Sequence, residues 1–189
     1  LPPRAQEVRV KYFEKLAGDR IYLSPVDADD HGSFYEWYND SETASLIGTI
    51  AKSYSVEEEK EMVAGLAKNE NAFAIMERQR DRMIGFCSFF DISAADRTAE
   101  LGMLIGEKGS RDKGYGTEVL RLMLDHGFGA LELNNIMLRT FAFNERAIHL
   151  YRKHGFREIG RRRQSYHCGN NYHDEVFMDM LREDYLAKH

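Results

Sequence analysis

Two short stretches carry the residues best suited to chemistry. The first is GEKGSRDKGYGT, residues 106–117, between an apolar run and a helical pattern. Gly114 and Gly116 remove side chains where the backbone must curve, and the helix that follows begins with N–H groups lacking intrahelical acceptors. Such a loop suits a phosphate or diphosphate, helped by the positive end of the helix dipole. Arg111 would add a charge there and Thr117 a hydroxyl. The loop lacks the Gly-Lys-Ser/Thr ending of a nucleoside-triphosphate loop and the G-x-G-x-x-G spacing of dinucleotide folds. Taken alone, it fits a plain glycine-rich turn equally well. The second stretch is NERAIHLYRKHGF, residues 144–156. Here Asn144 has the character of a helix N-cap and Gly155 that of a left-handed stop. Tyr151 offers a phenol as proton donor, or a core aromatic on the face it shares with Ile148.

Carboxylates are the remaining candidates. Glu100 precedes the glycine loop and has the chemistry of a general base, or of a partner in an ion pair. Glu36 and Asp40, in YEWYND, belong to a solvated helix face or to the wall of a substrate site. His167, Cys168 and His173 fall short of a metal set and match no zinc spacing, so no metal is expected. The run Arg161–Arg163 reads as a solvated edge.

These residues need a scaffold. Alternating and apolar runs predict strands at 20–26, 71–77, 83–92, 98–106 and 136–143, and a final hairpin of 156–168 with 172–181. Helical spacing predicts helices at 27–39, 117–128 and 144–154, and a capping box at Ser55 and Glu58 starts another that runs to 69. The fold class is α/β: a mixed, mostly antiparallel central sheet with helices on both faces. Residues 1–18 read as an N-terminal extension and 19–189 as a single domain, since no linker or repeat interrupts them. The 189 residues carry 26 basic and 31 acidic side chains, for a net charge of −5. That balance argues against nucleic acid or an anionic membrane as partner and suits a cationic substrate. Two cysteines are too few for a disulfide framework, and a cytoplasmic location is expected.

Together the two motifs resemble the GNAT N-acetyltransferases, whose diphosphate loop reads Gln/Arg-x-x-Gly-x-Gly/Ala. RDKGYG at 111–116 fits it, and the family's later helix, with a Tyr shortly before Gly-Phe, is matched by 144–156. The resemblance spans about residues 19–185. It implies that the strands at 98–106 and 136–143 are a parallel pair that splays apart to admit acetyl-CoA. The pantetheine arm would pair with the backbone of Met103, Leu104 and Ile105. The diphosphate would rest on the N–H groups of Lys113, Gly114, Tyr115, Gly116 and Thr117 beside Arg111. Asn144 would contact the pantetheine, Tyr151 would protonate the departing thiolate, and Glu100 would serve as base, with Glu36 and Asp40 facing the acceptor. The implied reaction is direct attack by an amine on the thioester. AIHLYRKHGF and REDYLAKH are similar to segments of spermidine and diamine acetyltransferases, and almost as similar to enzymes acting on ribosomal-protein N-termini. The acidic balance favours a small cationic amine such as a polyamine. A protein N-terminus, an amino sugar and a non-catalytic CoA-binding regulatory module stay open, as does a homodimer.

Overall fold

In the computed structural model, residues 11–188 are described; the first ten residues of the expected extension lie outside them. Eight strands form one sheet in the order β1-β2-β3-β4-β5-β6-β8-β7. β1 (Leu16–Ala17) pairs antiparallel with β2 (Ile21–Pro25), so the described end of the extension is woven into the sheet. The Phe13 amide also donates to Ser24 Oγ at 3.0 Å, and Lys11 pairs with Asp30 at 2.7 Å. Three helices follow: α1 (His31–Asn39), α2 (Ser41–Ile47) and α3 (Val56–Leu66). The expected capping box starts α3, with Glu58 N donating to Ser55 Oγ and Ser55 N to Glu58 Oε2. α2 is not foreshadowed by apolar spacing; the N-cap side chain of Asp40 sets it instead.

β3 (Ala72–Glu77), β4 (Arg82–Ser93) and β5 (Thr98–Ile105) continue the sheet antiparallel. α4 (Tyr115–Asp125) leads through a π-turn, His126–Ala130, to β6 (Asn135–Phe141). The helix expected to reach 128 stops at Asp125, because Gly127 and Gly129 are poor helix formers there. Phe128, inside the turn, is still buried. α5 (Glu145–His154) is capped by Asn144 and stopped by Gly155 in the left-handed region, as expected. β7 (Arg157–Cys168), β8 (Asn171–Leu181) and the short α6 (Arg182–Leu186) complete the chain.

Side chains alternate across the sheet and feed two cores. On one face Phe34, Trp37 and Val63 pack on Phe86 and Leu104. On the other, Val119, Leu120, Met123, Ile148 and Tyr151 pack with Leu101, Ile136 and Met178. The feature that makes a site is a divergence. β5 and β6 pair in parallel only through Thr98–Asn135, Ala99–Ile136 and Glu100–Met137. Beyond that point β5 stays with β4 as far as Ile105, while β6 continues with β8 to Phe141.

Candidate active site

The divergence opens a cleft of about 610 Å³, bounded by β5, β6, the C-terminal end of α2 and the N-termini of α4 and α5. Its loop end is built for an anion. Gly114 sits before α4 with φ +80°, a conformation that favours glycine. The Arg111 amide is engaged by Lys108 O and the Thr117 amide by Gly114 O. Between them, the amides of residues 112–116 have no acceptor among the described residues. The loop is braced from behind: Arg20 Nη1 donates to Lys113 O at 2.7 Å, and Tyr115 OH to Glu77 Oε1 at 2.7 Å. Glu118 Oε1 accepts from the Arg20 amide at 2.8 Å, and the Arg20 guanidinium lies 5.0 Å from the Tyr115 ring. The free donors are therefore preorganised. A Cβ on Gly116 would lie 3.4 Å from Leu150 and 3.6 Å from Met103, so a side chain there would enter the slot beside the donors.

Several expected contributors are committed to other partners, although Arg111 itself lines the cleft. The Arg111 guanidinium is only 8% exposed and faces inward, donating to Ile105 O, Gly106 O, Glu42 and Thr43, so it is not a free charge for phosphate. With Ile105 O taken, part of the expected open edge is engaged as well. Tyr115 turns its ring into the core and toward Glu77, while its amide stays among the loop's donors as expected of it. The Thr117 amide, bonded to Gly114 O, drops out of the donor run. Asp40 caps α2 through Thr43 N at 2.9 Å and pairs with Lys108 at 2.8 Å. Those partners, Lys108 first and the Thr43 amide second, pull its carboxyl down to about 2. Glu36 is exposed on α1, and neither acid lines the cleft. Adjacency in YEWYND did not translate into a shared site.

Other residues converge on the cleft. Met103, Leu104, Ile105, Gly116, Asn144, Glu100 and Tyr151 all line it. Asn144 Oδ1 accepts from Ala147 N at 3.2 Å, the capping bond expected of it. Tyr151 is buried against Phe156, and burial alone pushes its phenol up to about 12. Glu100 Oε1 accepts from Arg139 Nε at 2.7 Å, and Arg139 also reaches Glu175 at 3.4 Å. Three contributors escaped the sequence. Ser110 Oγ is buried at the cleft with no hydrogen-bond partner among the described residues. Phe141 and Tyr166 stack at 4.0 Å to form an aromatic wall. The Arg139 and Glu175 pair comes from adjacent strands, β6 and β8, whose register only the fold provides. Among the described residues no group of three or more His, Cys, Asp or Glu is placed to hold a metal ion. No described helix is long and apolar enough to cross a membrane.

Sequence and fold comparisons agree with this geometry. The acetyltransferase (GNAT) domain family matches residues 20–157. An uncharacterized N-acetyltransferase of Bacillus licheniformis is 24% identical over 180 residues, 93% of this chain and all of that one. The spermidine N(1)-acetyltransferase of Escherichia coli is 31% identical over 105 residues, 56% of each chain. Among solved structures, spermidine N-acetyltransferase from Vibrio cholerae, in complex with CoA and spermine, superposes with a TM-score of 0.80. It is 24% identical, and the match covers 89% of this chain and 99% of that one.

Proposed function

Since this chain belongs to the GNAT acetyltransferase family and is an N-acetyltransferase, we propose that it moves the acetyl group of acetyl-CoA to a primary amine on a small cationic molecule such as a polyamine. One observation carries the acetyl-CoA half of this reading: unengaged amides at 112–116 lie at one end of the cleft that opens where β5 leaves β6. A diphosphate fits those donors, and an extended pantetheine fits beside the free part of the β5 edge at Met103 and Leu104, a form of strand addition.

Bound acetyl-CoA would supply an activated thioester. The chain's own groups then have defined tasks. A backbone N–H in the 103–105 stretch polarises the thioester carbonyl and holds the oxyanion as the amine nitrogen bonds to carbon. The Tyr151 hydroxyl, with burial as its sole perturbation, points a hydrogen bond at the sulfur as the C–S bond breaks. Glu100, paired with the Arg139 guanidinium at 2.7 Å, draws the proton released from the attacking nitrogen, directly or through water. Asn144 fixes the start of α5 and therefore the aim of Tyr151.

Glu100 and Glu175, with the aromatic wall of Phe141 and Tyr166, support an ammonium-bearing acceptor. A second reading, a protein N-terminus, draws on a different feature. On the acceptor side Arg139 and Arg162 equal Glu100 and Glu175 in number, which suits a single ammonium better than a polycation. Thiol release from acetyl-CoA with spermidine, putrescine, glucosamine and N-terminal peptides separates the two. Spermidine turnover well above peptide turnover is the expected result; the reverse ranking would transfer the assignment to the peptide.

A further inference from the structure

Arg111 occupies the first position of the diphosphate loop motif, yet its guanidinium serves other groups. A guanidinium has five N–H donors in a fixed fork. Nε donates to Ile105 O at 2.9 Å, and Nη2 to Gly106 O at 3.1 Å and to Thr43 Oγ1 at 2.7 Å, while Nη1 donates to Glu42 at 2.9 Å. Two of these acceptors lie at the end of β5 and the residue that follows it, and two belong to α2. The link then closes on itself. The Thr43 hydroxyl, fully buried, donates in turn to Asp40 Oδ1 at 2.8 Å. Asp40 accepts from Lys108 at 2.8 Å, and Lys108 returns the chain to the turn that precedes Arg111.

What this ring fastens is the acceptor wall. α2 has only seven residues, of which Thr43 and Ala44 alone are buried, so packing holds it weakly. Its C-terminal end supplies Leu46, Ile47 and Gly48 to the cleft. We infer that Arg111 is a positioning residue that couples the two halves of the reaction: a ligand settling on the loop and the β5 edge stiffens the ring and so fixes α2 as a wall for the amine. Coupling of this kind is carried by rigid elements and hydrogen-bond networks, and it is reciprocal between the two sites. The inference rests on the acetyl-CoA reading above, and it gives the motif arginine a task distinct from neutralising phosphate.

Amide hydrogen exchange tests it without knowledge of the acceptor, using CoA as probe on the wild-type protein, Thr43→Val and Arg111→Lys. In the wild type, CoA is expected to slow exchange at 111–117 and also at 41–48, severalfold in each. In Thr43→Val, CoA affinity should stay within about twofold and protection at 111–117 should persist, while protection at 41–48 is lost. Arg111→Lys, which keeps the charge but not the fork, should behave alike. With spermidine as probe amine, both variants should raise the amine KM more than the acetyl-CoA KM. CoA-dependent protection of 41–48 retained in both variants would overturn the coupling. A selective loss of CoA affinity in Arg111→Lys with 41–48 still protected would make Arg111 a phosphate ligand instead. Wild-type protein that binds no CoA would remove the acetyl-CoA reading itself, a result visible before either variant is made.

Discussion

Replacing Tyr151 with Phe removes one hydroxyl from the cleft and leaves a ring of nearly the same volume against Phe156 and Ile148. The size of the effect follows from proton affinities. Burial holds the phenol at about 12, whereas an ordinary thiol titrates near about 8.5. Complete transfer of the proton to the leaving thiolate is therefore uphill, by at most roughly 5 kcal/mol at about 1.4 kcal/mol for each pH unit, since burial in the same cleft raises the thiol as well. The hydroxyl gains its effect as a hydrogen bond to a sulfur that is acquiring charge. Such bonds to charged groups contribute about 1.5–3 kcal/mol. Tyr151→Phe should thus lower kcat by roughly 10- to 100-fold, with CoA affinity little changed, because the ground-state thioester sulfur is a poor acceptor. Thiol release under saturating acetyl-CoA, with CoA affinity measured by calorimetry, provides both quantities. Two further signatures follow. The ratio of the two rates should stay flat between about pH 6 and 9, where a phenol at about 12 does not titrate. The deficit should also shrink with an aryl thioester, whose leaving thiolate needs less help. Equal kcat in the two proteins, or a deficit lying wholly in KM, would refute the reasoning.

Other substitutions probe the cleft and its supports. Ser110→Ala should raise Tm, because it removes a buried hydroxyl without a partner, and should weaken CoA binding about three- to tenfold as one hydrogen bond is lost; unchanged affinity would show that the hydroxyl plays no part in binding. Gly116→Val should weaken CoA binding by about tenfold or more, since its side chain would fill the slot next to Leu150 and Met103, and calorimetry reads this directly. Glu59 is fully buried, neither of its oxygens has a partner among the described residues, and burial followed by the Glu58 charge raises it from 4.5 to about 7. Its folded-state pKa exceeds the unfolded one, so its contribution is most favourable below about pH 4.5 and falls away as pH rises toward 7, by up to roughly 3 kcal/mol. Glu59→Gln should therefore have a higher Tm than wild type above pH 7 and a similar one near pH 5, as measured by thermal melts across that range.

Legibility in the sequence tracked the range of the interactions. The loop, the Asn144 cap, the Gly155 stop and the Ser55–Glu58 capping box are set by neighbours within a few residues, and local spacing reveals them. The divergence of β5 from β6 followed from resemblance rather than from any residue. What escaped was long-range. Arg111 meets Glu42 and Thr43 across some seventy positions, so its sequence neighbours, a glycine loop, pointed to phosphate. Asp40 reads locally as a helix-face acid, although Asp-Ser-Glu-Thr is itself a helix-start pattern, with the side chain accepting from Thr43 N. Ser110 carries no local sign of burial, because only the folded chain encloses it at the cleft.

The parting of β5 and β6 has a consequence for how the molecule comes undone. The sheet is two half-sheets, β1 to β5 and the trio β6, β8 and β7, joined by three rungs at Thr98, Ala99 and Glu100. The flanking pairs β4–β5 and β6–β8 are laced along most of their length, from Gly85–Ile105 on one side to Phe141–Glu175 on the other. Fewer backbone hydrogen bonds cross there than between the long strands on either side, so the junction is held chiefly by the shared core of Leu101, Ile136 and Met178, and sub-global opening has a natural fault line along it. A ligand spanning both sides of the opening would act as a rivet, raising the free energy of that sub-global step toward that of global unfolding.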